Sequence, residues 1–412
     1  MVEFRDYQKQ IMDEAFVKLM ANRFVYLSME VRTGKTLTSM GALDMIKDIE
    51  NVLFITKKKA VPNITDDYRS LSPSYKISIV NYESLHKIDK NGWDAIICDE
   101  AHSMGAYPKP SLRAKQVREL ILLNNPYVIL LSGTPSPESY SQLYHQVYAI
   151  RSSPFHKYKN FYRFADDYVL VTRKRVGGFE VKDYSFGKKK ILEEMSPYMI
   201  SFTQAEAGFE SSIEEEILTV KMLPDTYTLC KTLKRSLVVQ GKDEVILADT
   251  GAKLMSKLHQ MYSGTVKFES GNSMVFDNSK ALFIAERFKS NKIGVFYKFK
   301  EEFNALKQVF GDDLCDNLTD FDSGKCKVIA LQIVSGREGI SLRNADYIVF
   351  YNIDFSATSY WQARDRMTTK DRKHNKIYWI FSENGIEKKV HEAVKNKKDY
   401  TLSHFKRDSL NL

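Results

Sequence analysis

The sequence predicts an α/β protein with two parallel-sheet domains in tandem and a mixed, partly helical insertion or connector between them. Its 412 residues exceed what one hydrophobic core usually organises. In two regions, short runs that are apolar at almost every position alternate with helical patterns, which is typical of parallel strands buried on both faces. We therefore expect domains at residues 1–150 and 276–412, with the insertion or connector at 151–275.

The first region contains five apolar runs, each short enough to be one strand. A helical pattern follows the first run, with Leu37, Met40, Leu43 and Ile46 spaced three residues apart. In chain order the runs are "FVYLSM", "VLFIT", "ISIVNY", "AIICDE" and "VILLSGT".

The same alternation returns near the C-terminus in "IGVFYK", "VIALQ", "YIVFYNI" and "IYWIF". Between the two regions the sequence is rich in aromatic residues and lysine, as in "FHKYKNFYRFADDYVLV". The aromatic residues of this stretch could stack on bases. We expect them instead to form a small apolar core.

Composition limits the class of protein. The net charge of +9, from 61 basic against 52 acidic residues, favours a polyanionic partner. Four cysteines stand singly in the sequence, which predicts neither a disulfide framework nor a zinc site. Charged residues occur from the start of the N-terminus, and no apolar run is long enough to span a membrane. We therefore expect a cytoplasmic protein without a membrane partner. No required protein partner is evident from the sequence.

A candidate phosphate-binding loop follows the first apolar run. Thr33, Gly34, Lys35 and Thr36 lie between that strand and a helical pattern, although Met29 holds the position of the usual first glycine. In such a loop, backbone N–H groups face the phosphates of a nucleotide, the lysine reaches the β/γ oxygens and the Thr36 hydroxyl binds Mg²⁺. The pattern therefore indicates the phosphates of a nucleotide, with Mg²⁺, as ligand.

Two carboxylates end the fourth apolar run. Asp99 and Glu100 follow "AIIC" directly, at the edge where open parallel sheets bind ligands. Asp99 is the expected second Mg²⁺ ligand, and Glu100 the expected group that orients or deprotonates the attacking water. Ser132, Gly133 and Thr134 end the fifth run at the same edge and could couple this site to neighbouring loops.

Taken in order, these motifs resemble those of superfamily 2 helicases and translocases, and within them the Swi/Snf-type branch. The resemblance extends from residue 4 to about residue 372, and the chain is similar in compactness to small phage or bacterial members, some of which drive branch migration or fork remodelling. The matching segments are "FRDYQ", "VRTGKT", "VLFITKKKAVPN", "VNYESL", "DEAH", "SGTP", "KIGVFYK", "SGREGISL" and "QARDR".

The resemblance implies two RecA-like domains with ATP hydrolysed between them. It assigns Gln8 to adenine and adds Gly339 and Arg366 to the ATP site, with Gln362 and Arg366 as catalytic residues beside Lys35, Asp99 and Glu100. It also implies weakly sequence-specific contacts to nucleic acid, expected to be duplex, forked or branched DNA. The residues assigned to those contacts are Thr56, Lys57, Tyr82, Ser335, Gly336 and Arg337.

One departure from the family pattern leaves an alternative open. Thr369 stands where the family has its arginine finger, a residue that can be worth several orders of magnitude in rate. Arg366 is expected to be the principal γ-phosphate contact, with Arg372 or Arg337 replacing the missing arginine. The alternatives are a non-catalytic ATP-dependent DNA clamp, which Thr369 favours, and a P-loop kinase, which the second α/β domain disfavours.

Overall fold

The protein divides into two compact units, Met1–Phe209 and Glu210–Leu412. The computed structural model describes residues 3–176, 179–208, 212–333, 342, 344–356, 360 and 374–396. Each unit contains one six-stranded sheet whose paired strands all run parallel. The predicted fold class, two parallel-sheet α/β domains in tandem, is therefore confirmed.

The first sheet has the strand order β3-β2-β4-β5-β1-β8. A two-stranded antiparallel hairpin, β6 and β7, lies outside it. The strands are β1 (Phe24–Met29), β2 (Asn51–Thr56), β3 (Lys76–Asn81), β4 (Ala95–Cys98), β5 (Tyr127–Leu131), β6 (Thr172–Val176), β7 (Phe179–Asp183) and β8 (Met199–Phe202). The helices are α1 (Asp6–Asn22), α2 (Lys35–Asp44), α3 (Val61–Leu71), α4 (Leu112–Asn124), α5 (Leu143–Val147), α6 (Phe161–Tyr168) and α7 (Lys190–Met195).

Both faces of the first sheet are covered by helices, as its continuous apolar runs require. Alternate strand residues point to opposite faces: Val25 and Phe54 pack against α1, α2 and α3. Tyr26 and Leu53 pack on the other face, against α4 to α7. The register pairs Ile55 with Cys98 and Cys98 with Leu130, so the carboxyl ends of β2, β4, β5 and β1 meet at one edge.

The second sheet has the order β15-β16-β14-β17-β18-β9. Its unit also carries two small hairpins, β10 with β11 and β12 with β13. The strands are β9 (Ser212–Val220), β10 (Val238–Gln240), β11 (Val245–Leu247), β12 (Thr265–Lys267), β13 (Ser273–Val275), β14 (Ile293–Tyr297), β15 (Leu314–Cys315), β16 (Val328–Gln332), β17 (Tyr347–Phe350) and β18 (His374–Ser382). The helices are α8 (Pro224–Ser236), α9 (Gly251–Met261), α10 (Ser279–Arg287), α11 (Lys300–Phe310), α12 (Leu318–Asp322) and α13 (Glu387–Lys395).

The predicted insertion at 151–275 is mixed and partly helical, and the boundary between the two units falls within it. It also supplies one outer strand to each sheet, which the sequence did not predict: β8 pairs with β1 and β9 pairs with β18. The reason is that β8 has only four residues and β9 carries the acidic run Glu214–Glu216, so neither resembles a buried strand. Lys376 on β18 neutralises two of these carboxylates, at 3.0 Å from Glu214 and 2.8 Å from Glu216.

Four aromatic residues of this segment pack inside the protein, as expected, whereas Tyr162 is 47% exposed. Phe155, Phe161, Phe164 and Tyr168 are buried. They belong to the core of the first unit rather than to a separate small core. Their rings are therefore not available for stacking on bases.

The prediction of no disulfide was wrong for one pair of cysteines. Cys315 and Cys326 are joined by a disulfide, with their Cα atoms 6.1 Å apart. Cys315 ends β15, which pairs with β16, and Cys326 lies two residues before β16. The two cysteines are neighbours because of sheet pairing, which cysteine spacing alone does not reveal. Cys98 and Cys230 are buried thiols.

Within the described part of the chain, no helix has the length and apolar character that crossing a membrane requires.

A fully buried ion pair ties two helices of the second unit together. Lys280 on α10 lies 2.8 Å from Glu387 on α13, and neither side chain is exposed. Lys280 also donates to the carbonyl of Tyr351, at 3.3 Å, and Glu387 accepts from the hydroxyl of Ser382, at 3.0 Å. Because both charges have lost their water, each depends on the other for compensation.

Replacing one partner of this pair should destabilise the second unit. We expect Lys280→Met to lower the free energy of unfolding by about 3–5 kcal/mol, because it leaves a buried carboxylate uncompensated. Lys280→Met/Glu387→Gln should recover part of that loss, since the charge is gone and the acceptor for Ser382 remains. Urea unfolding measures both variants, with Lys253→Met in the exposed Lys253–Asp249 pair as the control with little effect. A double variant no more stable than the single one would contradict this account.

Candidate nucleotide site in the first unit

The candidate phosphate loop occupies the turn between β1 and α2. Gly34 has φ +83°, and a Cβ atom there would lie 2.3 Å from Nε2 of Gln8. The left-handed backbone conformation favours glycine here, and any side chain would also displace the Gln8 amide. α2 begins at the next residue, Lys35, so the N–H groups of its first turn adjoin the loop and form a site suited to phosphate.

Contacts from α1 hold the loop in place. Gln8 is buried and its amide nitrogen lies 3.4 Å from Oγ1 of Thr38 on α2 and 3.5 Å from the carbonyl of Gly34. The Tyr7 hydroxyl donates to the carbonyl of Thr33, at 3.2 Å. The buried Thr33 hydroxyl donates within the loop to the carbonyl of Glu30, at 2.7 Å. Gln8, which the family resemblance assigned to adenine, thus touches the phosphate loop itself.

The segment after β8 also supports the loop, which the sequence did not predict. Gln204, just after β8, donates its backbone N–H to Oε2 of Glu30, at 2.8 Å, and its side-chain amide to the carbonyl of Val31, at 3.0 Å. Phe202 stacks on Tyr7 with ring centroids 4.7 Å apart. No motif marks this segment, and its role depends on β8 lying beside β1.

The two predicted carboxylates lie at the end of β4, close to the loop. Lys35 Nζ is 3.5 Å from Oε1 of Glu100. Burial would raise the pKa of the Glu100 carboxyl, but the positive charges of Lys35, His102 and Lys57 outweigh burial and lower it to about 2. Glu100 is therefore ionised at neutral pH, as a residue that orients or activates water must be.

Asp99 has the opposite electrostatic balance. Burial, reinforced by the charge of Glu100, raises the pKa of its carboxyl to about 6. Oδ2 accepts from the Thr56 hydroxyl, at 2.9 Å. Oδ1 is buried and has no hydrogen-bond partner among the described residues. A buried carboxylate oxygen without a partner is costly unless a ligand uses it.

That oxygen fits the predicted Mg²⁺ site. Thr36, in the first turn of α2, is the other predicted ligand and is partly exposed. The described residues contain no cluster of three or more His, Cys, Asp or Glu that could hold a metal ion. Two protein oxygens suit Mg²⁺, which commonly binds through one or two protein groups, substrate phosphates and water.

A polar chain connects Glu100 to the end of β5. His102 Nδ1 lies 3.3 Å from Oε2 of Glu100 and 2.9 Å from the Ser132 hydroxyl. The Ser132 hydroxyl in turn accepts the backbone N–H of Thr134, at 3.1 Å. The "SGT" segment is thus linked by hydrogen bonds to the carboxylate at which we expect hydrolysis.

Two residues predicted to contact nucleic acid are buried and do not lie on the surface. Thr56 and Tyr82 are completely buried. Thr56 supports Asp99 as described, and the Tyr82 hydroxyl donates to the carbonyl of Asp99, at 2.7 Å. Both side chains therefore position Asp99, and neither is on the surface. Lys57 remains partly exposed, next to β2.

The predicted site residues of the second unit lie outside the described residues. They are Ser335, Gly336, Arg337, Gly339, Gln362 and Arg366, together with Thr369 and Arg372. Tyr360, two residues before Gln362, is described. Its hydroxyl donates to Glu215 on β9, at 2.8 Å, and its ring stacks on Trp379, at 5.2 Å.

Comparisons with known proteins agree with the motif order. The family model described as the SNF2-related domain matches residues 22–266, more than half of the chain. The model described as the helicase conserved C-terminal domain matches residues 254–368.

One curated relative is the SWI/SNF-related matrix-associated actin-dependent regulator of chromatin subfamily A-like protein 1 of Xenopus tropicalis. It is 24% identical over 329 residues, which are 71% of this chain and 31% of the relative. The chain thus spans less than a third of the length of that relative.

Two solved structures from Sulfolobus solfataricus are also similar to the chain. The SWI2/SNF2 ATPase core in complex with dsDNA has a TM-score of 0.43 and 15% identity, covering 98% of this chain and 92% of that one. The SWI2/SNF2 ATPase core domain alone has a TM-score of 0.44 and 16% identity, covering 96% and 89%. On the family matches, the chain belongs to the SNF2-related family, the Snf2-type branch of the superfamily 2 helicases and ATPases that its motifs resemble.

Proposed function

We propose that the protein is an ATP-dependent translocase or helicase that acts on DNA, either duplex or branched. The observation that carries this proposal is the convergence, within the first unit, of Lys35, the ionised Glu100 and the unpartnered oxygen of Asp99. An ATP phosphate chain needs a cation, and hydrolysis needs a carboxylate that positions water. Family membership supports the same reaction.

Each group at the site has a distinct task in this proposal. Lys35 and the first N–H groups of α2 bind the β- and γ-phosphates. Asp99 and Thr36 hold Mg²⁺, which would neutralise charge that develops on the phosphates. Glu100 orients the attacking water, and its low pKa keeps it ready to accept a hydrogen bond from that water at neutral pH. Gln8 keeps the loop in shape and is also the proposed adenine contact.

The second unit is proposed to complete the site. Gln362, Arg366 and Gly339 would contact the nucleotide, with Arg372 or Arg337 in place of the arginine that Thr369 replaces. Lys57, Ser335, Gly336 and Arg337 would contact DNA phosphates, in keeping with the net charge of +9. Such contacts give weakly sequence-specific, salt-sensitive binding. ATP binding and hydrolysis would then alternately close and open the two units, stepping them along DNA.

A non-catalytic clamp is the second candidate, and Thr369 is the residue that favours it. The intact carboxylate pair in the first unit supports hydrolysis instead, because a clamp that only binds ATP does not need an ionised Glu100. ATP turnover with and without nucleic acid separates the two. A rate at background with single-stranded DNA, duplex, fork, four-way junction and RNA alike would favour the clamp.

Lys35→Ala should remove ATP turnover. We expect a loss of at least about 100-fold, the size typical for one preorganised group that stabilises transition-state charge. The measurement is phosphate release with each of the five nucleic acids, and Lys47→Ala, an exposed lysine away from the loop, serves as control. Stimulated turnover that survives in Lys35→Ala would mean that the phosphate site lies elsewhere.

Asp99→Asn should abolish hydrolysis and yet stabilise the protein without ligands. The native pKa of Asp99 is raised to about 6 from 3.8, so the native state holds this proton more tightly than the unfolded chain. Below pH 3.8 Asp99 is protonated in both the native and the unfolded state, so the raised pKa does not affect folding stability. Between pH 3.8 and about 6 the loss of folding stability grows, and above about 6 it is complete. We expect a gain of about 1–2 kcal/mol at neutral pH, reduced from the full shift because Asp99 and Glu100 titrate together.

Urea unfolding of wild type and Asp99→Asn in metal-free buffer, on the acid and alkaline sides of pH 6, measures this gain. The stability difference should widen as pH rises through that value. A variant less stable than wild type at neutral pH would refute the electrostatic account of Asp99.

Thr56→Val distinguishes the two roles considered for Thr56. Because its hydroxyl donates to Asp99, we expect the variant to need about 10-fold or more Mg²⁺ for half-maximal turnover, the usual cost of losing a partner of a metal ligand. Affinity for DNA should stay unchanged, whereas Lys57→Gln should lower DNA affinity with little effect on the Mg²⁺ requirement. If Thr56→Val instead weakens DNA binding and leaves the Mg²⁺ requirement intact, Thr56 is a DNA contact after all.

A further inference from the structure

A short segment of the first unit holds much of the chain's excess positive charge. We call residues 169–176 and 179–190 the basic arm. It has seven basic and two acidic residues, and so carries +5 of the net +9. The hairpin of β6 and β7 forms most of it. Among its cations, Arg173, Lys182, Lys189 and Lys190 are exposed, and Lys190 lies at the start of α7. Arg173 meets Glu180 at 3.2 Å, with both side chains more than half exposed, so that pair neutralises little of the arm.

Exposed apolar side chains accompany these cations. Leu170 is 61% exposed, Phe186 52% and Val181 48%. A surface that combines cations with apolar side chains suits nucleic acid, which presents phosphates beside the less polar faces of sugars and bases.

The base of the basic arm is fixed to the first unit. Val169 and Gly187 form an antiparallel bridge, and the Ser141 hydroxyl donates to the carbonyl of Tyr184, at 2.7 Å. A Cβ atom on Gly187 would lie 2.7 Å from the backbone nitrogen of Ser141, so the approach is close. The ring of Tyr184 meets Phe161 edge-on at 5.5 Å. Beyond this base the five-residue strands extend by about 16 Å.

The same helical segment that holds the arm also holds a loop of the nucleotide site. Gln146 on α5 donates to the carbonyl of Pro135, at 2.9 Å, and accepts from the Tyr26 hydroxyl on β1, at 2.7 Å. Pro135 follows the "SGT" segment, whose Ser132 lies beside His102. Hydrogen bonds, together with the backbone of residues 141–146 and 134–135, therefore link the arm to the neighbourhood of Glu100.

We propose that the basic arm is an additional DNA-binding element, which contacts the phosphates of a duplex and is held by the helical segment, residues 140–147, that also holds the loop beside the nucleotide site. A duplex is the favoured ligand because a two-stranded ribbon fits the major groove. This inference rests on the proposed function for its partner, and it concerns residues that none of the family motifs includes.

The test compares three variants with wild type. The arm variant is Arg173→Gln/Lys182→Gln/Lys189→Gln, and the charge-retaining variant is Arg173→Lys/Lys182→Arg/Lys189→Arg. The control, Lys47→Gln/Lys76→Gln/Lys90→Gln, removes three exposed lysines from the end of the first sheet where its strands begin. Binding to a labelled duplex and to a single strand of equal length is measured without ATP over a range of salt concentrations. ATP turnover without DNA is measured in parallel.

The arm variant should bind the duplex at least about 10-fold more weakly, and its salt dependence should fall by about 0.9 for each phosphate that the arm no longer neutralises. The charge-retaining variant and the control should stay within twofold of wild type, and DNA-free ATP turnover should not change in any variant. Binding by the arm variant within twofold of wild type, or a loss equal to that of the control, would overturn the proposal. A loss no larger on duplex than on single strand would overturn the choice of duplex.

The binding assay uses no nucleotide, so its outcome is separate from that of the proposed function. If wild type binds duplex through the arm but DNA never stimulates ATP turnover, the proposed translocase fails and the arm stands. If DNA stimulates ATP turnover equally in wild type and in the arm variant at equal DNA concentrations, the proposed translocase stands and the proposal for the arm fails.

Discussion

The proposed nucleotide site depends on one constraint, which is that parallel strands bring their carboxyl ends to the same edge of a sheet. Four strands of the first unit end there, and their ends carry the phosphate loop, Thr56, the Asp99–Glu100 pair and Ser132. Crowding two carboxylates into a buried edge is unfavourable unless something compensates them. Lys35 compensates the charge of Glu100, so Glu100 stays ionised at neutral pH. The pKa of Asp99 is raised to about 6, close to neutral pH.

This electrostatic arrangement is built on a second layer of polar residues that hold the first in place. Thr56 and Tyr82 bind Asp99 from beneath, and His102 joins Glu100 to Ser132. Because these side chains are buried, a substitution among them changes the position or charge of a carboxylate rather than a surface contact. Contacts made by α5 and the turn before it reach the base of the basic arm, so the arm and the buried carboxylates are supported by adjoining parts of the same unit.

Much of the fold was predictable because buried parallel strands have a distinctive apolar pattern. The placement of Lys35, Asp99 and Glu100 just after such strands was predictable for the same reason, and their roles at the site stay predictions. Three features were not predictable from the sequence: the acidic strand β9, the short strand β8 and the Cys315–Cys326 disulfide. Each of them depends on which strands are neighbours in a sheet. Gln204 and the positioning role of Thr56 escaped prediction likewise: a motif assigns a residue to a function, but tertiary contacts determine which partner its side chain meets.

The pairing of β8 with β1 has a consequence for biosynthesis. The phosphate loop is translated early, yet Gln204, which supports it, follows about 170 residues later, and contacts so distant in sequence form slowly. On the ribosome, a nascent chain can form the inner strands of the first sheet while β1 still has an unpaired edge. The loop gains its contacts with Gln204 only when the last strand of that sheet has emerged, so the proposed ATP site is complete only at that stage of synthesis.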